Sequence, residues 1–241
     1  MTGNKWPADS RTVGSPTGAS TGGSLPRLLV TGAAGRVGQV LVPRLSSRYR
    51  LRLTDLPSSA LDRLGPYGEI RPADLREPNR LHALFGGTDA VLHLAGTGRR
   101  DSSWEQLHKA NVLCTYHAVA AARESGCGRF IYASSVHAVA GYGAEQEPLS
   151  PDLPPFPLDG YGLTKAFGEL LTGVALASGG CLVVILRLGA VAGAPAGEDV
   201  SRVRADLDDV AGSIDAAMRW PGPGSLVINA VNSDARLARP N

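Results

Sequence analysis

The sequence predicts an α/β fold built on a doubly wound parallel sheet. Short runs of mostly apolar residues alternate with longer segments whose apolar residues recur at helical spacing. Strands that are buried on both faces give continuous apolar runs, which is the pattern of a parallel sheet covered by helices on both sides. A glycine-rich turn between the first strand and the first helix supports the same fold class, because such turns open nucleotide-binding sheets.

The predicted elements follow this alternation along the chain. Seven short runs are predicted as strands, over residues 28–30, 49–54, 70–73, 90–94, 130–133, 182–186 and 225–229. Segments with helical spacing separate them, over residues 37–45, 104–124, 162–177 and 209–219. The chain therefore consists of repeated strand–helix units, as parallel sheets require.

The composition narrows the class of partner. With 24 basic and 22 acidic residues the formal net charge is +2, and no block of five like charges occurs. This argues against nucleic acid or an anionic membrane as the main partner.

The three cysteines, Cys114, Cys127 and Cys181, are widely spaced and form no C-x-x-C motif. We therefore expect neither a disulfide framework nor a metal site, and a reducing, cytoplasmic location.

A glycine-rich loop directly follows the first strand. Gly32, Gly35 and Gly38 stand at the spacing G-x-x-G-x-x-G between a predicted strand and a predicted helix. In such a loop the first glycine permits a tight turn, and the second lets a pyrophosphate approach the helix N-terminus. The third glycine lets the helix pack closely on the strand. The loop therefore predicts a dinucleotide site.

Asp55 closes the second strand about 20 residues beyond the loop, where a ribose-binding carboxylate is expected. A carboxylate there accepts hydrogen bonds from the ribose hydroxyls and repels a 2′-phosphate, so we predict NAD rather than NADP. Two alternatives stay open. Asp55 also suits a turn before Leu56-Pro57, and Arg36 in the loop could meet a phosphate.

Tyr161 and Lys165 occupy positions i and i+4 of a predicted helix and so share one face. A lysine beside a phenol stabilises the phenolate, so we expect it to lower the pKa of Tyr161. Ser135 follows the fifth strand at the carboxyl edge, where α/β sheets bind ligands. The three side chains predict an acid–base site for an alcohol or carbonyl; the alternative for the Tyr–Lys pair is a solvated helix face.

These features divide the chain into three predicted parts. Residues 1–26 are polar and rich in glycine, serine, threonine and proline, and we expect a disordered leader without the apolar stretch of a signal peptide. Residues 27–190 are predicted to form a Rossmann-type NAD-binding domain, and residues 191–241 a small C-terminal substrate cap that completes the same domain. No run of 18 apolar residues occurs, so no membrane span is expected.

These motifs give the chain a resemblance to a known family. It resembles the extended-type short-chain dehydrogenases/reductases of the NAD-dependent epimerase/dehydratase family, and within them the uronate dehydrogenases. The similarity covers residues from about 27 to 235 and is carried by residues 31–38, Asp55, Asp74-Leu75, residues 93–96, Asn111, Ser134-Ser135, Tyr161 and Lys165. The resemblance implies an oxidoreductase that transfers hydride between a sugar or sugar-like alcohol and NAD.

The resemblance also implies roles for individual residues. Tyr161 would be the general acid/base, Ser135 would orient the substrate, and Asn111 would support a water and the lysine. The implied cofactor-binding residues are Gly32, Ala34, Gly35, Arg36, Val37, Gly38, Asp55, Asp74, Leu75, Leu94, Ala95, Gly96, Ser134 and Lys165. The implied substrate contacts are Gly98, Ser135, Val136, His137, Ala190 and Arg202.

The chain departs from the uronate dehydrogenases at the residues that hold the sugar acid. In a gap-free alignment from Tyr161 onward, a serine of that pocket falls on Ala190 and an arginine falls on Asp199. A second serine falls near Gly98, beside a small insertion, and an asparagine falls on Val136. Arg202 or Arg204 could replace that arginine if the intervening loop is shifted. An aspartate in place of the arginine would repel a carboxylate, so we expect dehydrogenase chemistry with an altered carboxylate pocket.

Two other functions stay open. A nucleotide-sugar epimerase or dehydratase would share the fold, although dehydratases of this group place an acidic pair where Val136-His137 stands. A dinucleotide-binding protein without turnover would keep the glycine loop and lose the tyrosine or the lysine, both of which are present. His137 could contact substrate or simply lie in a loop, and His93 is expected to be packed within a strand. The resemblance also implies a homodimer that pairs through the Tyr–Lys helix.

Overall fold

The computed structural model describes residues 25–99, 101–142, 149–176, 180–191, 204–222 and 224–231. Its main sheet has seven strands: β1 (Arg27–Thr31), β2 (Arg50–Thr54), β3 (Gly68–Ile70), β4 (Ala90–His93), β5 (Arg129–Ser135), β6 (Leu182–Leu188) and β9 (Ser225–Ala230). Between β6 and β9 in the chain, β7 (Ala190–Val191) and β8 (Arg204–Ala205) pair in a separate two-stranded sheet.

Helices connect these strands. The α-helices are α1 (Arg36–Leu45), α2 (Ser59–Asp62), α3 (Leu81–Phe85), α4 (Trp104–Leu107), α5 (Cys114–Glu124), α6 (Gly160–Leu176) and α7 (Leu207–Arg219). A π-helical segment, His108–Leu113, joins α4 to α5 in one helical run. Turns of 3₁₀ helix lie at Gly65–Tyr67, Pro78–Arg80 and Val136–Tyr142. Within the described ranges, none of the helices is both long and apolar enough to cross a membrane.

The strand order of the main sheet is β3-β2-β1-β4-β5-β6-β9, and each neighbouring pair is parallel. The chain builds one half of the sheet outward from β1 and then crosses back to begin the other half at β4. The prediction of a doubly wound Rossmann sheet is confirmed. In such sheets ligands bind beyond the carboxyl ends of the strands, where the order reverses between β1 and β4.

Each face of the sheet carries its own apolar core, because successive side chains of a strand point to opposite faces. Leu28 and Val30 of β1 pack with α1 and α7 on one face, whereas Leu29 packs with α3, α5 and α6 on the other. All three side chains are fully buried. Burial of one such side chain contributes roughly 1.5–3 kcal/mol, so the two cores fix the strand register and the position of the loops at the carboxyl edge.

The third strand is the main correction to the predicted elements. The strand expected over residues 70–73 is displaced, because β3 begins at Gly68 and ends at Ile70. β3 is an edge strand and needs no apolar run, and Pro72 has no N–H to extend the ladder. The helices α2 and α3 were not predicted, since helices of four and five residues carry too little periodicity to be recognised in a sequence.

The structure describes part of the region predicted as a cap. β9 joins the main sheet beside β6, and α7 packs against α1, where Arg44 Nε lies 2.6 Å from Asp208 Oδ1. Residues 192–203, which include the predicted substrate contact Arg202, lie outside the described residues, as do leader residues 1–24. The boundaries of the leader, the NAD-binding domain and the cap stay predictions.

Candidate active site

A cavity of about 800 Å³ opens at the carboxyl edge of the sheet. The glycine loop, the loop after β4, the end of β5, the start of α6 and the end of β6 surround it. The predicted site residues that line it are Gly32, Arg36, Val37, Gly38, Leu94, Gly96, Gly98, Ser134, Ser135, Val136, His137, Tyr161, Lys165 and Ala190. Among the other described site residues, those outside the lining are Ala34, Gly35, Asp55, Asp74, Leu75, Ala95 and Asn111.

Two positions of the loop must be glycine, because other backbone segments pass close to them. Gly32 has φ +69°, and a Cβ atom at this position would lie 2.6 Å from the backbone nitrogen of Ala95. A Cβ atom at Gly38 would clash with the carbonyl oxygen of Ala33. The loop can therefore pass under the end of β4, and α1 can lie directly on β1, only if both residues lack a side chain.

The N-terminus of α1 fits an anionic group. Gly35 is the N-cap residue in an extended conformation, without a side-chain capping bond, and the first turn contains no acidic side chain. The first amide groups of a helix have no partner within the helix, and they carry a partial positive charge. A phosphate is the ligand that such an arrangement recognises, so this end of the cavity fits the pyrophosphate of a dinucleotide.

Asp55 ties the end of β2 to the glycine loop. Its Oδ2 accepts a hydrogen bond from Ala34 N at 2.9 Å, and its Oδ1 accepts one from Leu56 N at 2.8 Å. Each carboxylate oxygen has a further lone pair, so the half-buried carboxylate can still accept from a hydroxyl. Asp55 can therefore stabilise the turn after β2 and bind a ribose hydroxyl at the same time.

Asp74 and Leu75 lie in the loop beyond β3. Arg76 binds the Asp74 carboxylate through two nitrogens at 2.5–2.9 Å, and these hydrogen bonds hold the pKa of Asp74 below its usual value. Leu75 is buried, and its carbonyl accepts a hydrogen bond from His117 Nδ1 at 2.8 Å. Ala73 N donates to Asp55 O at 3.0 Å, which anchors this loop beside the end of β2.

Tyr161 projects into the cavity from the first turn of α6. Burial raises its pKa, a hydrogen bond from Ser135 lowers it, the charge of Asp159 raises it and the charge of Arg36 lowers it. The net shift is upward. The expected net lowering of this pKa is not found, because desolvation of the phenolate outweighs the favourable groups around it, and Lys165 is not among the residues that shift the pKa.

Lys165 is buried beneath Tyr161 on the same helix face. Its Nζ donates to Ala133 O at 2.8 Å and lies 5.8 Å from the centroid of the Tyr161 ring. Burial lowers the pKa of Lys165 to about 8, although the charge of Glu169 opposes this shift. The ammonium is thus held by the end of β5 rather than by the phenol, and it remains largely protonated at neutral pH.

The hydroxyl of Ser134 is committed to a buried network behind the cavity. Its Oγ donates to Glu169 Oε1 at 2.5 Å, and the same carboxylate accepts from Arg187 Nε and Nη2 at 3.0 and 2.8 Å. Arg187 also donates to the carbonyls of Pro151 and Leu153. Ser134 lines the cavity, but its side chain serves to join β5, α6 and β6.

Asn111 fixes the loop after β4 against α6. Its Oδ1 accepts from Thr97 N at 2.7 Å, while its Nδ2 donates to Thr97 O at 3.1 Å and to Thr164 Oγ1 at 2.9 Å. Asn111 lies in the π-helical segment, a feature that is frequent at functional sites. Its side-chain donors therefore reach the neighbour of Lys165, not Lys165 itself.

His93 is a packed histidine, as expected for its place in a strand. It is 1% exposed, with Nδ1 2.8 Å from Thr31 Oγ1 and Nε2 3.2 Å from Thr115 Oγ1. Burial, together with the nearby charge of Lys165, lowers the pKa of His93 to about 3. The neutral His93 ring, held between two hydroxyl groups, therefore stabilises the protein interior beneath Lys165.

The fold places two charged residues where the sequence did not indicate them: Arg36, which was predicted only as a cofactor contact, and Asp159, which was not predicted. A methyl group at Gly98 would lie 3.8 Å from Arg36 Nη2, so the guanidinium of Arg36 reaches the substrate end of the cavity. Asp159 lies 3.0 Å from His137 and influences the pKa of Tyr161. Its position before a helix is a typical N-cap signal, which could have drawn attention to it.

Comparisons with known proteins agree with this arrangement. The chain matches the family described as NAD dependent epimerase/dehydratase over residues 28–213. It is 36% identical over 205 residues to a uronate dehydrogenase of Agrobacterium fabrum, and the aligned region covers 85% of this chain and 76% of that protein. It is 31% identical over 211 residues to an L-arabinose 1-dehydrogenase (NAD(P)(+)) of Haloferax volcanii, covering 83% of this chain and 79% of that protein.

A solved structure gives the same result. A mutant uronate dehydrogenase from Agrobacterium tumefaciens complexed with NAD is similar to this chain with a TM-score of 0.78 and 34% identity, over 89% of this chain and 80% of that chain. The resemblance inferred from the sequence motifs is thereby confirmed. The chain belongs to the NAD dependent epimerase/dehydratase family.

Proposed function

We propose that this protein is an NAD-dependent oxidoreductase that transfers a hydride between a sugar-like alcohol and the nicotinamide. The observation that carries the proposal is the convergence of Tyr161, Ser135 and Lys165 on the cavity that the glycine loop also lines. The uronate and arabinose dehydrogenases among its relatives support the reaction class.

The proton chemistry falls to Tyr161. As phenolate it accepts the proton of the substrate hydroxyl, and in the reverse direction the neutral phenol returns that proton. The hydrogen bond from Ser135 and the charge of Arg36 favour the phenolate, against the cost of burial. Ser135 lines the same cavity and is hydrogen-bonded to Tyr161, so it can orient the substrate hydroxyl, and buried Lys165 supplies a cation for a ribose hydroxyl.

The proposed NAD site extends from the first turn of α1 to the end of β2. The free amides of that turn suit a pyrophosphate, and Asp55 suits the adenine ribose. Asp74 and Leu75 stay the proposed neighbours of the adenine, since their loop is bonded to Asp55. The chemistry that a bound nicotinamide supplies is the acceptance of a hydride.

Asp55→Ala is expected to lower the preference for NAD over NADP by roughly tenfold to a hundredfold. This range corresponds to about 1.5–3 kcal/mol for a hydrogen bond to a charged group. The variant loses an acceptor for the ribose hydroxyls and the charge that repels a 2′-phosphate. The measurement is kcat/KM with each dinucleotide, and Asp62→Ala is the matched control because Asp62 is an exposed aspartate beyond the same strand. An unchanged ratio in Asp55→Ala would contradict this assignment.

The proposed substrate is sugar-like, and its pocket differs from that of a uronate dehydrogenase. The lining at the substrate end includes Gly98, Val136 and Ala190, which offer no side-chain partner to a carboxylate. His137 is the proposed contact for a substrate hydroxyl at this end. Arg36 and Arg202 are the proposed cations that could pair with an anionic substrate. We therefore expect neutral aldoses to be oxidised in preference to uronates.

Nicotinamide reduction across a panel of aldoses, uronates and nucleotide sugars tests the proposal. Reduced cofactor that accumulates with an aldose supports it. Isomerised sugar without net cofactor turnover would favour an epimerase instead. Dinucleotide binding by calorimetry without turnover on any member of the panel would favour a non-catalytic binding protein.

We also propose a homodimer in the cytoplasm. Leu163, Leu170 and Val174 are 50%, 61% and 77% exposed on α6, at a spacing that places them along one side of the helix. An apolar stripe of this kind on the Tyr–Lys helix supports pairing through that helix. The cytoplasmic location is supported by the three cysteines, which are buried free thiols.

A further inference from the structure

Asp159 lies directly before α6 and forms bonds in two directions. Its Oδ1 accepts a hydrogen bond from Gly162 N at 2.6 Å, which caps the first turn of the helix. Its Oδ2 lies 3.0 Å from Nδ1 of His137. The side chains of Asp159 and His137 are 30% and 21% exposed, so this pair is partly shielded from water at the edge of the cavity.

His137 in turn contacts the two residues proposed to act on the substrate. Its ring is oriented edge-on to that of Tyr161, with 5.6 Å between the centroids. Its backbone N–H donates to Ser135 Oγ at 3.2 Å. A side chain at Gly162 would clash with the His137 carbonyl, so the loop after β5 and the start of α6 pack directly against each other. Asp159 joins these two segments.

We propose that Asp159 is a positioning residue of the active site, which holds the His137 imidazole in one tautomer and one orientation beside Tyr161. A carboxylate at Nδ1 keeps the proton on that nitrogen, as carboxylates behind functional histidines do. Nε2 is then left as a hydrogen-bond acceptor for the cavity. The inference rests on the proposed function only for the identity of the ligand that Nε2 meets.

Asp159 also sets the balance of charge around Tyr161. Among the described residues, the groups that face the phenol are Arg36 from α1, Tyr132 and Ser135 from β5, His137 from the turn after β5, Asp159 directly before α6 and Lys165 from α6. Among these, the charge of Asp159 raises the pKa of Tyr161 and the charge of Arg36 lowers it. Removing the negative charge is therefore expected to lower the pKa of Tyr161.

Asp159→Asn gives a sharp test, because the two ends of the amide differ. If the asparagine oxygen continues to accept from Gly162 N, its NH₂ group faces Nδ1 of His137. That nitrogen must then become an acceptor, so the proton moves to Nε2. We expect a change from the Nδ1–H tautomer in the wild type to the Nε2–H tautomer in the variant.

The measurement is made on the full chain without ligand. Spectra of ¹⁵N-histidine-labelled protein report which ring nitrogen carries the proton, and His137→Gln assigns the His137 signals by their absence. Asp206→Asn is the matched control, since Asp206 is the N-cap aspartate of α7 and accepts from Asp208 N. We expect this control to leave the His137 tautomer unchanged.

Two results would overturn the inference: a wild-type His137 with its proton on Nε2, or a tautomer that is the same in the wild type and in Asp159→Asn. The wild-type result decides the question even if the variant fails to fold. An absorbance titration of the phenolate, corrected with Tyr161→Phe, provides a second readout, in which Asp159→Asn lowers the pKa of Tyr161 and Asp159→Glu restores it. These readouts need no turnover, so a failed substrate panel would count against the proposed function and leave the role of Asp159 standing.

Discussion

Tyr161→Phe is expected to lower kcat for alcohol oxidation by roughly 10²–10⁴-fold, the range that a general acid–base group contributes. The substitution removes one oxygen atom and keeps the ring, so the edge-on contact with His137 is retained. The variant loses the phenol oxygen that is proposed to accept the hydroxyl proton and that is hydrogen-bonded to Ser135. The initial rate of nicotinamide reduction measures the loss, and calorimetry should show unchanged dinucleotide binding.

Tyr67→Phe is the matched control for this substitution, because Tyr67 is 39% exposed in the turn before β3, at the opposite edge of the sheet. The pH profile provides a second signature. Since Tyr161 accepts the proton as phenolate and burial raises its pKa, the oxidation rate of the wild type should rise with pH above neutrality. The rise should weaken as Lys165, whose pKa burial lowers to about 8, loses its charge. An undiminished rate in Tyr161→Phe would rule out the assignment.

The sequence was sufficient for those parts of the site that depend on local geometry. The glycine spacing predicts its own turn because Gly32 and Gly38 meet backbone that lies close in the chain or on the adjacent strand. The spacing of Tyr161 and Lys165 places both side chains on one face of any helix. Continuous apolar strands likewise predict a sheet covered on both faces, which two separate cores confirm.

The remaining features depend on contacts between distant segments. Asp159 and His137 are 22 residues apart, and the pairing of Ser134 with Glu169 spans 35 residues. Neither contact has a local pattern that would predict it. The direction of the Tyr161 pKa shift is set by burial, and burial follows from how the loops close over the cavity, which the sequence pattern does not specify.

The buried ion pair between Glu169 and Arg187 gives the second large expected effect. Their side chains are 4% and 2% exposed, and Arg187 Nη2 lies 2.8 Å from Glu169 Oε2. Glu169→Gln leaves Arg187 as a buried cation without its counter-charge. We expect the free energy of unfolding to fall by about 3–5 kcal/mol, as measured by urea denaturation. Because Ser134 donates to the same carboxylate and directly precedes Ser135, the floor of the cavity should be disturbed as well.

Glu105→Gln is the matched control, since Glu105 lies 2.6 Å from Lys109 but both side chains are exposed. Exposed pairs contribute little, so its urea midpoint should equal that of the wild type. A double variant, Glu169→Met with Arg187→Met, separates lost charge from lost packing. Replacing both charges by apolar groups of similar size should recover part of the stability, but not all of it, because Arg187 also donates to two loop carbonyls. Equal midpoints for Glu169→Gln and Glu105→Gln would mean that the buried pair contributes no more than an exposed one.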